Sequence, residues 1–133
     1  MILDTSYVIA LAAGEDDAVN FARKHASSGR PQRIPAAVIL ELYVSVGVGD
    51  NPTENARQYE ELLGNLPVVE LGQNIARRAG ALQGQHLASD TKPTLGFADA
   101  SIAATGLVYN EPVTTRDTDD FGSVDNLTVR TWS

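Results

Sequence analysis

The sequence predicts an α/β fold: a small, mainly parallel sheet of four or five short strands, covered by helices on both faces. Three observations predict it. Apolar runs of strand length, such as Met1-Ile2-Leu3 and Pro112-Val113-Thr114-Thr115, recur along the chain. Longer segments with helical spacing of apolar residues separate them. Strands separated by helices do not pair as hairpins, so they align in parallel and bury both faces under helices. A length of 133 residues fits one domain spanning 1–133.

In order, Met1 to Asp4 reads as a buried strand that ends in an acid. Tyr7 to Ala13 is a short helix stopped by Gly14. The acids Glu15, Asp16 and Asp17 suit the positive start of a second helix, which ends near Gly29. Gln32-Arg33-Ile34 is a small strand. Pro35 suits the first turn of a third helix running through Val44. A loop of Gly47, Gly49, Asp50, Asn51 and Pro52 precedes a helix from Thr53 to Leu63. Leu66 to Leu71 is a strand, Asn74 to Leu87 a helix, and Ser89 to Leu95 a polar loop. Phe97 to Thr105 is a nearly all-apolar helix ended by Gly106. The strand Pro112 to Thr115 leads into an acidic loop, Arg116 to Ser123. Leu127 to Trp132 is the last strand, with Val129 and Thr131 alternating against Thr128 and Arg130.

Composition narrows the function classes. There is no cysteine, which excludes disulfides, zinc ribbons, thiolate nucleophiles and iron–sulfur clusters. No apolar run reaches the length of a membrane span and no signal sequence opens the chain, so a cytoplasmic location is expected. Ten Lys+Arg stand against seventeen Asp+Glu, a net charge of −7, which argues against a basic nucleic-acid sleeve. An enzyme that meets nucleic acid through metal ions is not excluded, because bound cations invert the local sign. His25 and His86 are too few and too far apart for a His-based zinc site and are expected at the surface.

Most acids lie in polar clusters and read as solvated faces or caps. Four stand elsewhere. Asp4 ends an apolar strand, where a parallel sheet borders its ligand crevice; as an ordinary residue it would cap the next helix. Glu41 sits among Val38, Ile39, Leu40, Leu42 and Val44 and shares a helix face with core residues; an Arg partner would account for it. Asp99 lies within Ala98-Asp99-Ala100-Ser101-Ile102, or caps that helix. Asp117 follows the strand Val113-Thr114-Thr115, or is a turn acid. Together, two strand-end acids and two acids on apolar helix faces would converge on one rim of the sheet. Such carboxylates repel: their pKa values rise, or divalent cations sit between them. Oxygen-only ligands select Mg²⁺ or Mn²⁺.

Ile2-Leu3-Asp4-Thr5-Ser6, Leu40-Glu41-Leu42, Ala98-Asp99-Ala100-Ser101-Ile102-Ala103-Ala104 and Thr114-Thr115-Arg116-Asp117-Thr118-Asp119-Asp120-Phe121, in this order, resemble the PIN-domain ribonucleases. Within these, the pattern is most similar to the VapC-type toxins of toxin–antitoxin pairs. The resemblance implies a three-layer α/β/α sandwich and an endoribonuclease dependent on Mg²⁺ or Mn²⁺. It implies that Asp4, Glu41, Asp99 and Asp117 are the catalytic, metal-binding acids, with Asp120 as an auxiliary metal ligand. Asp117, Asp119 and Asp120 compete for the last position. Thr5, Ser6 and Thr115 fall where small hydroxyl residues support the site. The implied partners are RNA, a cognate antitoxin and a second copy of the chain in a homodimer.

The expected chemistry is hydrolysis by metal-activated water, which needs no Ser, Cys or His nucleophile. Contacts to RNA would come from some of Arg23, Lys24, Arg30, Arg33, Arg77, Arg78, Lys92 and Arg116, of which Arg116 stands beside the acidic loop. Self-association is expected through helical faces carrying Val44, Val46, Leu62 and Leu63. Two other strand-end-Asp families fail on motif: a dehalogenase-like phosphatase needs a second Asp where Ser6 stands, and a phosphoacceptor receiver needs a late Lys, yet none follows Lys92. The alternatives that stay open are an RNA-processing nuclease without an antitoxin and a catalytically silent PIN-like binding module.

Overall fold

A computed structural model describes residues 1–132 and shows a helix-rich α/β fold with five very short strands. The elements in order are β1 (Ile2–Leu3), α1 (Thr5–Ala12), α2 (Asp16–Ala26), β2 (Ile34–Pro35), α3 (Ala36–Val48) and α4 (Pro52–Leu63), then β3 (Val68–Val69), α5 (Gln73–Ala88), α6 (Phe97–Tyr109), β4 (Val113–Thr114), α7 (Thr118–Gly122) and β5 (Val129–Arg130).

All strand pairs are parallel. Ile2 faces Val113, and Val113 faces Val129, so β4 lies between β1 and β5. Ile34 faces Val68 in the β2–β3 pair. A bridge between Ile2 and Arg33 joins the two groups, with Leu3 N–H donating to the Arg33 carbonyl at 3.0 Å and Arg33 N–H to the Met1 carbonyl at 2.9 Å. The resulting order is β3-β2-β1-β4-β5, with the first strand of the chain at its centre. That centrality explains why Ile2, Leu3, Ile34 and Val113 are all fully buried and why they are β-branched or Leu.

The helices segregate. α1 to α4 contact one another, while α5 packs along α6, and α6 crosses β1, β2 and β4. Right-handed crossovers require this: the chain moves one way from β1 to β3 and the other way from β3 to β5, so α1 to α4 fall on one face of the sheet and α5 and α6 on the other. α6 is buried from Ala100 to Gly106; its small residues let the backbone approach the sheet closely. Contact between α3 and α6 closes the rim where the strands end.

Several expected boundaries move. Gly106 does not end α6; the helix runs to Tyr109 and stops at Asn110, whose φ of 53° supplies the left-handed cap. α3 likewise continues through Gly47 to Val48. Pro35 pairs with Val69 in the sheet and serves as the N-cap of α3, one residue before the expected first turn. Arg116 to Ser123 is not a loop throughout: Asp117 caps a short helix whose first turn carries Asp119 and Asp120. Both histidines are buried, contrary to expectation, with His25 7% and His86 2% exposed. His86 lies on the inner face of α5 with Ile75 and Ala79 and donates from Nδ1 to the Pro93 carbonyl at 2.9 Å. His25 stacks on Phe21, and burial together with the nearby N-terminus, Arg130 and Arg30 lowers its pKa. Among the described residues no helix is long and apolar enough to cross a membrane.

Candidate active site

The strand order changes direction between β1 and β4, and in an open parallel sheet the crevice beyond such a switch point is the usual ligand site. Asp4 follows β1 there, and Thr115 follows β4. Asp4 is 6% exposed and stands at the N-cap of α1, but its carboxylate does not cap the helix. Its Oδ2 accepts instead from Thr115 Oγ1 at 2.6 Å and from Ser6 Oγ at 2.8 Å. Each hydroxyl is itself an acceptor: Thr115 Oγ1 from Asp117 N–H and Ser6 Oγ from Arg116 N–H, both at 3.0 Å. A hydroxyl has one proton, so these backbone donors commit both protons to Asp4. Two short hydrogen bonds fix the position of the carboxylate.

Glu41, in the second turn of α3, accepts at Oε1 from Thr5 Oγ1 at 2.6 Å. No Arg pairs with it among the described residues, so the ion-pair reading of this acid does not hold. Asp4, Thr5 and Ser6 thus supply in series a carboxylate, a donor to a second carboxylate and a donor to the first.

Asp99 occupies the first turn of α6, where Gly96 is the N-cap and no side chain caps the helix. Burial pushes its pKa up to about 6, reinforced by the charges of Asp4, Glu41, Asp117 and Asp120. All the acids singled out by the sequence therefore act on this one carboxyl. Asp117 accepts at Oδ1 from Asp120 N–H at 3.2 Å, so it caps α7 and lies in the site at once. Burial, then Asp117 and Asp119, also raises the pKa of Asp120.

Carboxylate oxygens of Asp99, Asp117 and Asp120 lie within 4.8 Å of one another. Asp4 and Glu41 stand outside this tight triad but close enough to perturb Asp99. Of the three late acids, Asp117 and Asp120 join the cluster and Asp119 remains exposed outside it. The arrangement fits a hard divalent cation: the donors are all carboxylate oxygens, their separation allows one ion to bridge them, and their mutual repulsion is what a cation would relieve. The resemblance implies Asp120 as an auxiliary ligand; the first turn of α7, which the sequence reads as loop, carries it back to Asp117.

The family model for the PIN domain matches residues 1–127. The chain belongs to the PIN domain family. None of the curated proteins compared matches the sequence. Among solved structures, the chain is similar to VapBC2 from Rickettsia felis bound to a promoter DNA fragment, with a TM-score of 0.88 at 18% identity over 99% of this chain and 98% of that one. It is similar to VapBC-1 from nontypeable Haemophilus influenzae, with a TM-score of 0.81 at 22% identity over 98% and 96%. A third is VapC20 from Mycobacterium tuberculosis, a sarcin–ricin loop cleaving toxin, with a TM-score of 0.68 at 16% identity over 93% and 94%. These likenesses establish a shared fold.

Proposed function

We propose that the chain is a Mg²⁺- or Mn²⁺-dependent endoribonuclease that hydrolyses RNA phosphodiester bonds and acts in the cytoplasm as the toxin of a type II toxin–antitoxin pair. The observation that carries the reading is the cluster of Asp99, Asp117 and Asp120, flanked by Asp4 and Glu41, at the switch point of a PIN fold. A divalent cation bound there would supply an activated water and neutralise charge on the phosphoryl oxygens. Asp99, Asp117 and Asp120 would hold it, and Asp4, positioned by Thr115 and Ser6, would complete the ligand set. Glu41, held by Thr5, would order the attacking water. The toxin reading draws support from the VapBC complexes of similar fold, and the RNA substrate from VapC20.

Two partners follow. A cognate antitoxin would present Arg or Lys to the acidic rim, where the guanidinium fork matches carboxylates. Its apolar residues would dock between α3 and α4 in the groove lined by Ile39, Tyr43, Tyr59, Leu63 and Leu66. A second copy would cover α3, where Leu40, Val44 and Val48 form an exposed stripe at 66%, 58% and 83% exposure. The surface expected from sequence differs: Val46 is buried, and Leu62 and Leu63 pack against the core.

The test uses the purified chain on total cellular RNA with Mg²⁺ or Mn²⁺, against EDTA. Metal-dependent cleavage is expected, with a loss of at least about 100-fold in Asp99→Asn. Absence of cleavage would overturn the nuclease reading. Expression without a partner should arrest growth, and Asp99→Asn should relieve the arrest. Harmless expression of a protein active in vitro would favour RNA processing over toxicity. Sedimentation showing only monomer at micromolar concentration would overturn the homodimer.

A further inference from the structure

Arg116 is placed between two site residues, Thr115 and Asp117, in a protein of net charge −7. Its backbone N–H donates to Ser6 Oγ at 3.0 Å, and Ser6 in turn donates to Asp4, so its Cα is tied to the acidic rim. Its guanidinium lies over the Trp132 ring, 5.0 Å from the centroid. Trp132 packs on Tyr7 at 5.2 Å, and Tyr7 on Phe21 at 5.7 Å, so the platform under the guanidinium is continuous with the core. This cation–π contact holds the guanidinium at the rim before any ligand arrives, which lowers the entropy lost on binding.

Of the five guanidinium N–H donors, one is used among the described residues: an Nη2 proton donates to Glu15 Oε2 at 2.9 Å. The two side chains are 61% and 44% exposed, so the pair is a wet surface contact that opens at little cost. Glu15 is also the N-cap residue of α2, yet its side chain makes no capping bond. The carboxylate therefore has little structural task beyond this contact. A planar cation held over an aromatic ring at the rim, with a single hydrogen bond among the described residues, is matched to a phosphate, which accepts two parallel N–H bonds where Glu15 offers one.

We propose that Arg116 binds a phosphate of the RNA strand beside the scissile one, and that Glu15 occupies the guanidinium until RNA displaces it. The inference rests on the endoribonuclease reading. A purely structural Arg116–Glu15 bridge makes a different prediction: removing either partner would have the same effect.

The experiment measures binding of a labelled single-stranded RNA oligonucleotide to Asp99→Asn protein in Mg²⁺ across a salt series. Arg116→Gln in that background is expected to reduce the salt slope by about 0.7 and to weaken binding about fivefold at about 0.1 M salt, with no difference near about 1 M. Arg116→Lys should restore most of the slope, because it restores the charge. Glu15→Gln should tighten binding, while Asp50→Asn, at the far end of α3, should leave it unchanged and so exclude a simple net-charge effect. Arg116→Gln and Glu15→Gln moving in the same direction, or an unchanged slope in Arg116→Gln, would overturn the proposal. Wild-type cleavage of the same RNA is scored in parallel. Cleavage without the Arg116 slope sinks this proposal alone; the slope without cleavage sinks the nuclease reading alone.

Discussion

Neutralising Asp99 is expected to stabilise the metal-free protein, by an amount that grows with pH. The carboxyl is raised from 3.8 to about 6 in the fold. Below 3.8 it is protonated in both the folded and the unfolded chain, so Asp and Asn are equivalent there. As pH rises toward about 6, the unfolded chain releases a proton that the folded one retains, and stability falls. At about 1.36 kcal/mol per pH unit the full loss is about 3 kcal/mol. Partial exposure of the site to water and counterions reduces this to about 1–2 kcal/mol. Asp99→Asn should recover that amount at about pH 7.5, equivalent to about 3–8 °C in Tm. Urea melts of both proteins in EDTA between about pH 4 and pH 8 measure the difference directly. A variant less stable than wild type at about pH 7.5, or a difference that does not vary with pH, would refute the reasoning. Saturating Mg²⁺ should invert the order, since only the native acid cluster gains binding energy from the ion.

Two further outcomes follow from packing and hydrogen bonding. Thr115→Val removes a donor to Asp4 and the acceptor of the Asp117 N–H, so it should cost about 1–3 kcal/mol in a denaturant melt and lower metal affinity about 10- to 100-fold by calorimetry. Gly106→Ala would place a Cβ 2.8 Å from Leu127 Cδ1, 2.9 Å from Val113 Cγ2 and 3.1 Å from the Glu111 carbonyl. Overpacking of this kind costs about 1–3 kcal/mol, readable as a lower urea midpoint at an unchanged slope.

The site was legible in the sequence because its acids break local rules. An acid ending an apolar strand and acids among core-facing helix residues are conflicts that a structural role alone explains poorly. Asp4, Glu41 and Asp99 stand out this way as candidates, and the order of strands and helices follows from periodicity. What escaped was set by tertiary context. Gly106 looks like a helix end, but the crowding of Leu127 and Val113 around it selects glycine inside a helix. The histidines look like surface residues because nothing local marks the faces on which α2 and α5 pack. Asp120 and Arg116 lie in a polar run that reads as a loop, and only the turn of α7 and the ring of Trp132 give them defined positions.

The hydrogen bond from Thr115 to Asp4 spans 111 positions, and it ties the strand that begins the chain to one near its end. During synthesis β1 emerges well before its neighbour β4. The centre of the sheet therefore stays open along one edge until β4 and α7 have been made, and the acid cluster has no existence before then. A truncated product carries Asp4, Glu41 and even Asp99 without the means to gather them. Timing of this kind makes assembly of the site a late event, dominated by a long-range closure that is slow relative to local helix formation. The interval before closure, when an apolar central strand is unpaired, is the one in which a ribosome-associated chaperone has most to cover.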